Sequence, residues 1–268
     1  MNKGGNEDIP IGRGKSMAYI DKEVRRLVGK AIHHYDLIRD GDRIAVAVSG
    51  GKDSMVLLWL LRERLRRIPI HYDLVAVHVD LGFDPRPAAE LEAFFESEGF
   101  DYRILRTDYG VKAHSPENRE NPCFLCARRR RAAIFREARS LGCSKVAFAH
   151  NQDDFIETFF INVCYGAQAA AIVPKQPFFG GLITVIRPLA LVDSQKVARL
   201  ARNLDLPVVE NPCPSAGKSA RTEIRDFLFS LYRKNRKVRG NIFHALSNVN
   251  PEYLPPPLQR KKPRRHGP

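Results

Sequence analysis

The run Ser49-Gly-Gly-Lys-Asp-Ser54 gathers two hydroxyls, two glycines, a cation and a carboxylate into six consecutive positions. Glycines let backbone N–H groups approach an anion, and the positive end of a following helix adds to the attraction. The chemistry this suits is phosphate binding. It is not the Walker pattern, because neither Gly14-Lys15-Ser16 nor Gly217-Lys218-Ser219 has its partner glycine at the required place. The plain alternative is a tight strand-to-helix turn capped by Asp53 or Ser54.

Cysteine supplies a second chemistry. Cys123-Phe-Leu-Cys126 opens a predicted helix and Cys213 follows Pro212 much later. The CxxC spacing lets two sulfurs meet one metal or each other, and a helix start with arginines behind it lowers a thiolate pKa. Three readings stand side by side. Zinc wants a fourth ligand, and the sequence has no second CxxC or HxxxH pair. A redox dithiol is chemically possible, although the flanks are unlike a thioredoxin motif. Three thiols on an iron–sulfur cluster with one iron left open also fit the count. Cys143 and Cys164 lie beside apolar residues and are expected to be buried core.

These groups need elements to hold them. Residues 44–48, Ile-Ala-Val-Ala-Val, are a β-branched apolar run, the pattern of a strand covered on both faces. They lead straight through Ser49 to Ser54 into an apolar helix reaching residue 67. Further strands are predicted at 74–79, 102–105, 145–149 and 183–186, with helices at 88–98, 126–141, 153–165 and 194–205. This alternation predicts right-handed crossovers and an α/β, doubly wound parallel sheet of Rossmann-like type. The spacing also predicts a leading amphipathic helix over 21–39, an ordered Gly/Pro-rich loop over 166–181, and closing helices over 219–236 and 241–249. Residues 255–268, Pro-rich and basic, are expected to be disordered. The organisation expected is an extension with helix (1–40), a nucleotide-binding domain with the cysteine site (41–215), a helical appendix (216–250) and a basic tail (251–268).

In that frame Val77, His78 and Asp80 fall at the end of the second strand. Asp153 and Asp154 begin a helix just after residues 145–149, where a parallel sheet places its ligands. Asp80 has an alternative role as a strand-end cap, and Asp153 and Asp154 as N-caps. Arg128 to Arg131 occupy one helical turn, so at least two of them face solvent. Arg130, one turn beyond Cys126, is the one that can reach the cysteine side.

The Ser49 to Ser54 run resembles the pyrophosphate loop of the N-type ATP pyrophosphatase superfamily, whose members cleave ATP between the α- and β-phosphates to adenylate a substrate. The resemblance implies an adenine nucleotide alpha hydrolase-like fold. It places pyrophosphate on Ser49, Gly50, Gly51, Asp53 and Ser54 with Lys52 nearby, and adenine and ribose along Val77, His78 and Asp80. The stretches 41–54, 122–131, 145–154, 186–189, 212–213 and 243–254 are similar to those of the tRNA 2-thiocytidine synthetases and occur in the same order, across most of residues 21–254. That family replaces the C2 oxygen of an anticodon-loop cytidine by sulfur. The resemblance implies ATP, Mg²⁺ and a 4Fe-4S cluster on Cys123, Cys126 and Cys213. It also implies catalytic roles for Asp53, Arg130, Asp153 and Asp154, tRNA as partner, and sulfide or a cysteine desulfurase as sulfur source. Family members often have a further cysteine where Ala216 stands. His150-Asn-Gln-Asp-Asp154 and Cys213-Pro-Ser215 look closer to the sibling 2-thiouridine synthetases, which makes 2-thiouridine formation an alternative product. Family members can be dimeric, so a homodimer is a further expectation.

Forty-four Lys and Arg against thirty Asp and Glu leave a net charge of +14, which suits a polyanionic partner. Five of these cations, Arg260, Lys261, Lys262, Arg264 and Arg265, lie in the tail. No apolar run approaches the roughly 20 residues of a membrane span, the start has no secretory signal, and an odd cysteine count argues against a disulfide framework. A cytoplasmic protein is expected. Adenylation of another acceptor, in lysidine formation or sulfur transfer to a small molecule, is the rival enzyme reading; the cysteines weigh against the first and the charge against the second. A basic RNA-binding module is the non-enzymatic rival, and the intact loop argues against it.

Overall fold

In the computed structural model, residues 19–210, 212–215, 217 and 220–255 are described. The six strands are β1 (Asp42–Ala47), β2 (Tyr72–Asp80), β3 (Tyr102–Arg106), β4 (Lys145–Ala147), β5 (Lys175–Phe178) and β6 (Ile183–Ile186). They form one sheet in the order β3-β2-β1-β4-β6-β5. The first five strands across this order are parallel, and β5 pairs antiparallel with β6, Pro177 opposite Thr184. From β1 the chain winds outward to β2 and β3, then crosses back to β4 and outward to β6. The strand order therefore reverses between β1 and β4, and ligands of open parallel sheets bind outside the carboxyl ends at such a point.

The predicted loop over 166–181 is corrected by β5. Lys175-Gln-Pro-Phe178 has little strand pattern of its own, and its proline removes a ladder donor. An edge strand tolerates that loss, and pairing with β6 supplies the order that local sequence lacks.

The helices are α1 (Tyr19–His34), α2 (Lys52–Leu65), α3 (Arg86–Ser97), α4 (Tyr109–Ala113), α5 (Pro122–Ser140), α6 (Gln152–Gly166), α7 (Ser194–Asn203), α8 (Ala220–Lys234) and α9 (Val238–Ala245). One face of the sheet carries α1, α2, α3 and α7. Val24 and Val28 of α1, Leu57 and Leu61 of α2, Leu91 of α3 and Leu200 of α7 share a single buried cluster. On the other face Ala133, Ile134 and Phe135 of α5 pack on Val75, Val146 and Val185. Every residue of α2 from Ser54 to Leu61 is buried, as expected of a helix apolar all round. Ile224, Leu228 and Tyr232 of α8 cluster with Ile156 of α6, so the closing helices pack on α6.

Cys143 is buried as expected, but Cys164 is exposed. It stands near the C-terminal end of α6, beyond the part of that helix that faces the core, so its apolar sequence neighbours misled the expectation. The tail cations and Ala216 lie outside the described residues. Among the described residues no helix is long and apolar enough to cross a membrane.

Candidate active site

The Ser49 to Ser54 loop sits between two buried elements, β1 and α2. Gly51 caps α2 in extended backbone and no side chain caps the helix, so the Asp53 or Ser54 cap does not form. Ser54 instead ties the loop to itself: its Oγ donates to the Gly51 carbonyl at 2.8 Å and accepts from the Ser49 N–H at 3.1 Å. Gly50 has φ +83°, and a Cβ there would meet Val209 Cγ2 at 2.0 Å. Only glycine fits both demands. The Val209 N–H donates to the Gly50 carbonyl at 3.1 Å, which fastens the segment leading to Cys213 onto the loop.

Above the loop lies a pocket of about 420 Å³, within the range of small-molecule sites. Ser49, Gly51, Lys52, Asp53 and Ser54 form its floor, Val77, His78 and Asp80 one wall, and Arg130, His150 and Pro212 are on its remaining sides. Asp53 Oδ1 is buried with no hydrogen-bond partner among the described residues. Burial pushes the Asp53 carboxyl up against the opposing pull of Lys52, whose Nζ is 3.4 Å away. An orphaned buried acceptor in a pocket wall suits a cation or a ligand donor. The His78 Nδ1–H donates to the Val48 carbonyl at 2.8 Å, and burial lowers the His78 pKa. Asp80 Oδ1 accepts from the Gly82 N–H at 2.9 Å, so it fills its strand-end role while lining the pocket.

Helix α5 begins at Pro122, earlier than the sequence pattern predicts, because Asn121 accepts from the Phe124 N–H at 3.2 Å and proline suits the first helical position. Cys123 is thus exposed in the first turn and Cys126 buried in the second. Burial raises the Cys126 pKa; Arg130 lowers it, while Cys213 and Cys123 raise it further. The three thiols therefore share one electrostatic neighbourhood, and Arg130 reaches both it and the pocket. Among the described residues no three of His, Cys, Asp and Glu enclose a metal ion. The donors fit a thiolate-bound cluster in kind and number, with a cation at hand to offset thiolate charge. His114, which no sequence signal marks, stands beside them. Its Nδ1–H donates to the Gly110 carbonyl at 2.9 Å, and its Nε2 accepts from Ser215 Oγ at 2.7 Å and lies 3.9 Å from Cys213 Sγ.

Asp153 and Asp154 do not line the pocket. Asp154 completes a capping box, accepting from the Asn151 N–H at 2.8 Å, and pairs with Arg221 at 3.1 Å. Burial pushes its carboxyl up to about 6, opposed by the Asn151 N–H and Arg221. Asp153 is buried, accepts from the Ser194 N–H at 2.7 Å and pairs with Arg239 at 3.1 Å. Glu157, one turn further and 2 % exposed, pairs with Arg221 and Arg225. These three carboxylates fasten α7, α8 and α9 to α6, while α6 starts beside His150 in the pocket.

Comparison with known proteins decides the family. The chain matches the PP-loop domain family over residues 20–231. Three curated relatives carry the name tRNA-cytidine(32) 2-sulfurtransferase. That of Citrifermentans bemidjiense is 38% identical over 86% of this chain and 92% of its own. Those of Geobacter sulfurreducens and Methylobacillus flagellatus are 37% and 39% identical, over 89% and 91% of this chain and 95% and 82% of theirs. The chain belongs to the tRNA-cytidine(32) 2-sulfurtransferase family. It is a sulfurtransferase built on a PP-loop domain. Among solved structures it resembles the U34-tRNA thiolase NcsA of Methanococcus maripaludis, determined with its 4Fe-4S cluster. The TM-score is 0.71 at 27% identity, over 88% of this chain and 81% of that one. An NH3-dependent NAD synthetase of Campylobacter jejuni shares the fold alone, at TM-score 0.52 and 15% identity over 91% of this chain and all of the other.

For a sulfurtransferase of this family, the pocket brings together the phosphate loop, the β2 wall and Arg130 as the motifs predicted. Sequence reading missed His114, Glu157 and the three arginines of α8 and α9, whose partners are distant in the chain. It quoted His150 and Arg187 within motifs without assigning them a role.

Proposed function

We propose that this chain uses ATP to adenylate the C2 oxygen of cytidine 32 in tRNA and replaces that oxygen by sulfur. The observation that carries the reading is one pocket in which a phosphate loop, Arg130 and the Pro212 approach to Cys213 meet. The C2 oxygen is a poor leaving group until it is esterified. It attacks the α-phosphorus of ATP, a P–O bond forms, and pyrophosphate departs with its bonding pair. Sulfur at the sulfide level then adds to C2, the C2–O bond breaks, and AMP leaves.

Each residue has a part in this sequence. Backbone N–H groups at the start of α2 and the Lys52 ammonium hold the β- and γ-phosphates and favour departing pyrophosphate. Asp53, with its orphaned oxygen, would hold Mg²⁺, which would neutralise phosphate charge. Val77, His78 and Asp80 border adenine and ribose. Arg130 offsets charge developing on the α-phosphate. His150 donates from Nε2 to the oxygen under transfer, and Asp153 and Asp154 position it by fixing the start of α6. Cys123, Cys126 and Cys213 would hold a 4Fe-4S cluster, which would supply the sulfur-binding chemistry of the transfer. Supplied sulfide or a cysteine desulfurase provides the sulfur. The pocket must exclude water, which would hydrolyse the adenylate.

Cytidine is favoured over uridine because the relatives at 36–39% identity carry the cytidine name, whereas the uridine thiolase is at 27%. The test is anaerobic reconstitution with iron and sulfide, then nucleoside mass spectrometry of tRNA incubated with ATP. The reading expects 2-thiocytidine only with ATP and loss of product in Cys126→Ser. 2-Thiouridine would redirect the substrate, and iron-free protein with full activity would remove the cluster.

A further inference from the structure

Phe124 lies between two cysteines of the proposed cluster site, and its side chain is on the outside: the residue is 61% exposed. Its backbone is fixed in the first turn of α5 by the Asn121 cap. One turn on, the Arg128 guanidinium lies 5.5 Å from the ring centroid, held by Glu120 at 3.0 Å. Helical spacing puts Phe124, Arg128 and Arg131 on one stripe, about 100° around the helix from Cys123. Arg128 and Arg131 are exposed. Among the described residues no buried cluster includes this ring.

An exposed aromatic ring with a guanidinium against it, between two cysteines of a site proposed to act on an RNA base, has the chemistry of a stacking platform for unpaired bases. We propose that Phe124 and Arg128 stack a nucleotide adjacent to the target in the single-stranded anticodon loop, with Arg131 on the neighbouring phosphate. A flanking nucleotide is the occupant because Phe124 points well around the helix from Arg130, which lines the reaction pocket. The proposal rests on the tRNA reading above and adds where the loop lies. A ring reads no hydrogen-bond pattern, so the platform gives affinity rather than base identity.

The test uses the full chain and an anticodon stem–loop RNA with 2-aminopurine beside position 32, followed by fluorescence and anisotropy over a salt series. The platform predicts that wild-type protein quenches 2-aminopurine, and that Phe124→Ala abolishes the quench and weakens binding about 5- to 150-fold. Phe124→Ala keeps the salt slope, Phe124→Trp retains binding, and Arg131→Ala lowers the slope by about one neutralised phosphate. Unchanged melting temperatures exclude misfolding as the cause. Intact binding and quenching in Phe124→Ala overturn the platform alone, whereas wild-type protein that ignores the stem–loop overturns the tRNA reading with it. A wild-type dimer that Phe124→Ala splits into monomers, with RNA binding unchanged, assigns the ring to a second copy of this chain and also overturns the platform.

Discussion

The Nε–H of Arg187 donates to Nδ1 of His150 at 3.2 Å. A guanidinium has no acceptor, so Nδ1 must present its lone pair and the ring proton must sit on Nε2. Arg187 is buried and anchored through the Val173 carbonyl, with Gln176 at 3.3 Å, which fixes the orientation of the pair. Burial, then Arg187, Arg221, Arg131 and Arg130, lower the His150 pKa to about 3. His150 is therefore a neutral, one-directional donor in a pocket rich in cations. In the proposed reaction it would polarise an oxygen without needing to titrate near neutrality.

The tautomer can be tested by amide mimicry. His150→Gln places a donor near the Nε2 position, and His150→Asn places one near Nδ1. Single-turnover AMP formation should fall about 100-fold in His150→Asn and less than about tenfold in His150→Gln. Equal losses in both would remove the donor role.

Stability should depend on pH through the same residue. The unfolded chain protonates His150 at its ordinary 6.5 and the fold only at about 3, so stability falls as pH drops through that window. Asp154 acts in the opposite sense: its carboxyl is raised from 3.8 to about 6, so the fold holds the extra proton there and gains stability as pH falls across that interval. Comparing wild type with His150→Gln cancels the Asp154 contribution. From pH 7 to about 4.5 the variant should gain about 1 to 3 kcal/mol relative to wild type. Parallel pH profiles in urea melts would contradict the burial of a neutral His150.

Asp53 separates function from structure. Its Oδ1 has no hydrogen-bond partner among the described residues, so Asp53→Asn should leave the melting temperature unchanged or slightly raised. Adenylation should drop about 100-fold or more, and raising Mg²⁺ should recover part of it. A variant that loses stability and activity together would make Asp53 a structural residue.

The basic tail contributes to tRNA binding only if its cations meet phosphate. Deleting residues 259–268 should flatten the salt dependence of tRNA affinity by about 0.7 to 0.9 in slope for each phosphate that the tail neutralises. An unchanged slope would confine RNA binding to the folded body.

The phosphate loop was legible because its signal is local: a β-branched run, two glycines and an apolar helix follow one another without a gap. The CxxC helix was legible for the same reason, and helical spacing keeps Arg130 on the Cys126 face one turn on; that this face also borders the pocket is a tertiary fact. Pairings over long chain distances were not. Nothing near His150 announces Arg187 as its partner, and nothing near His114 announces Ser215. Asp153 and Asp154 read as pocket carboxylates by position, yet Ser194, Arg221 and Arg239 occupy them from other helices. Strand β5 and exposed Cys164 were misjudged because pairing with β6 and the outward reach of α6 are tertiary facts.

The most direct measurement is position-resolved mass spectrometry of tRNA thiolated by the reconstituted protein with ATP. The account predicts 2-thiocytidine at position 32, with AMP and pyrophosphate formed in step and all three products falling together in Asp53→Asn. Sulfur at another base, or at position 32 without ATP cleavage between the α- and β-phosphates, would contradict it.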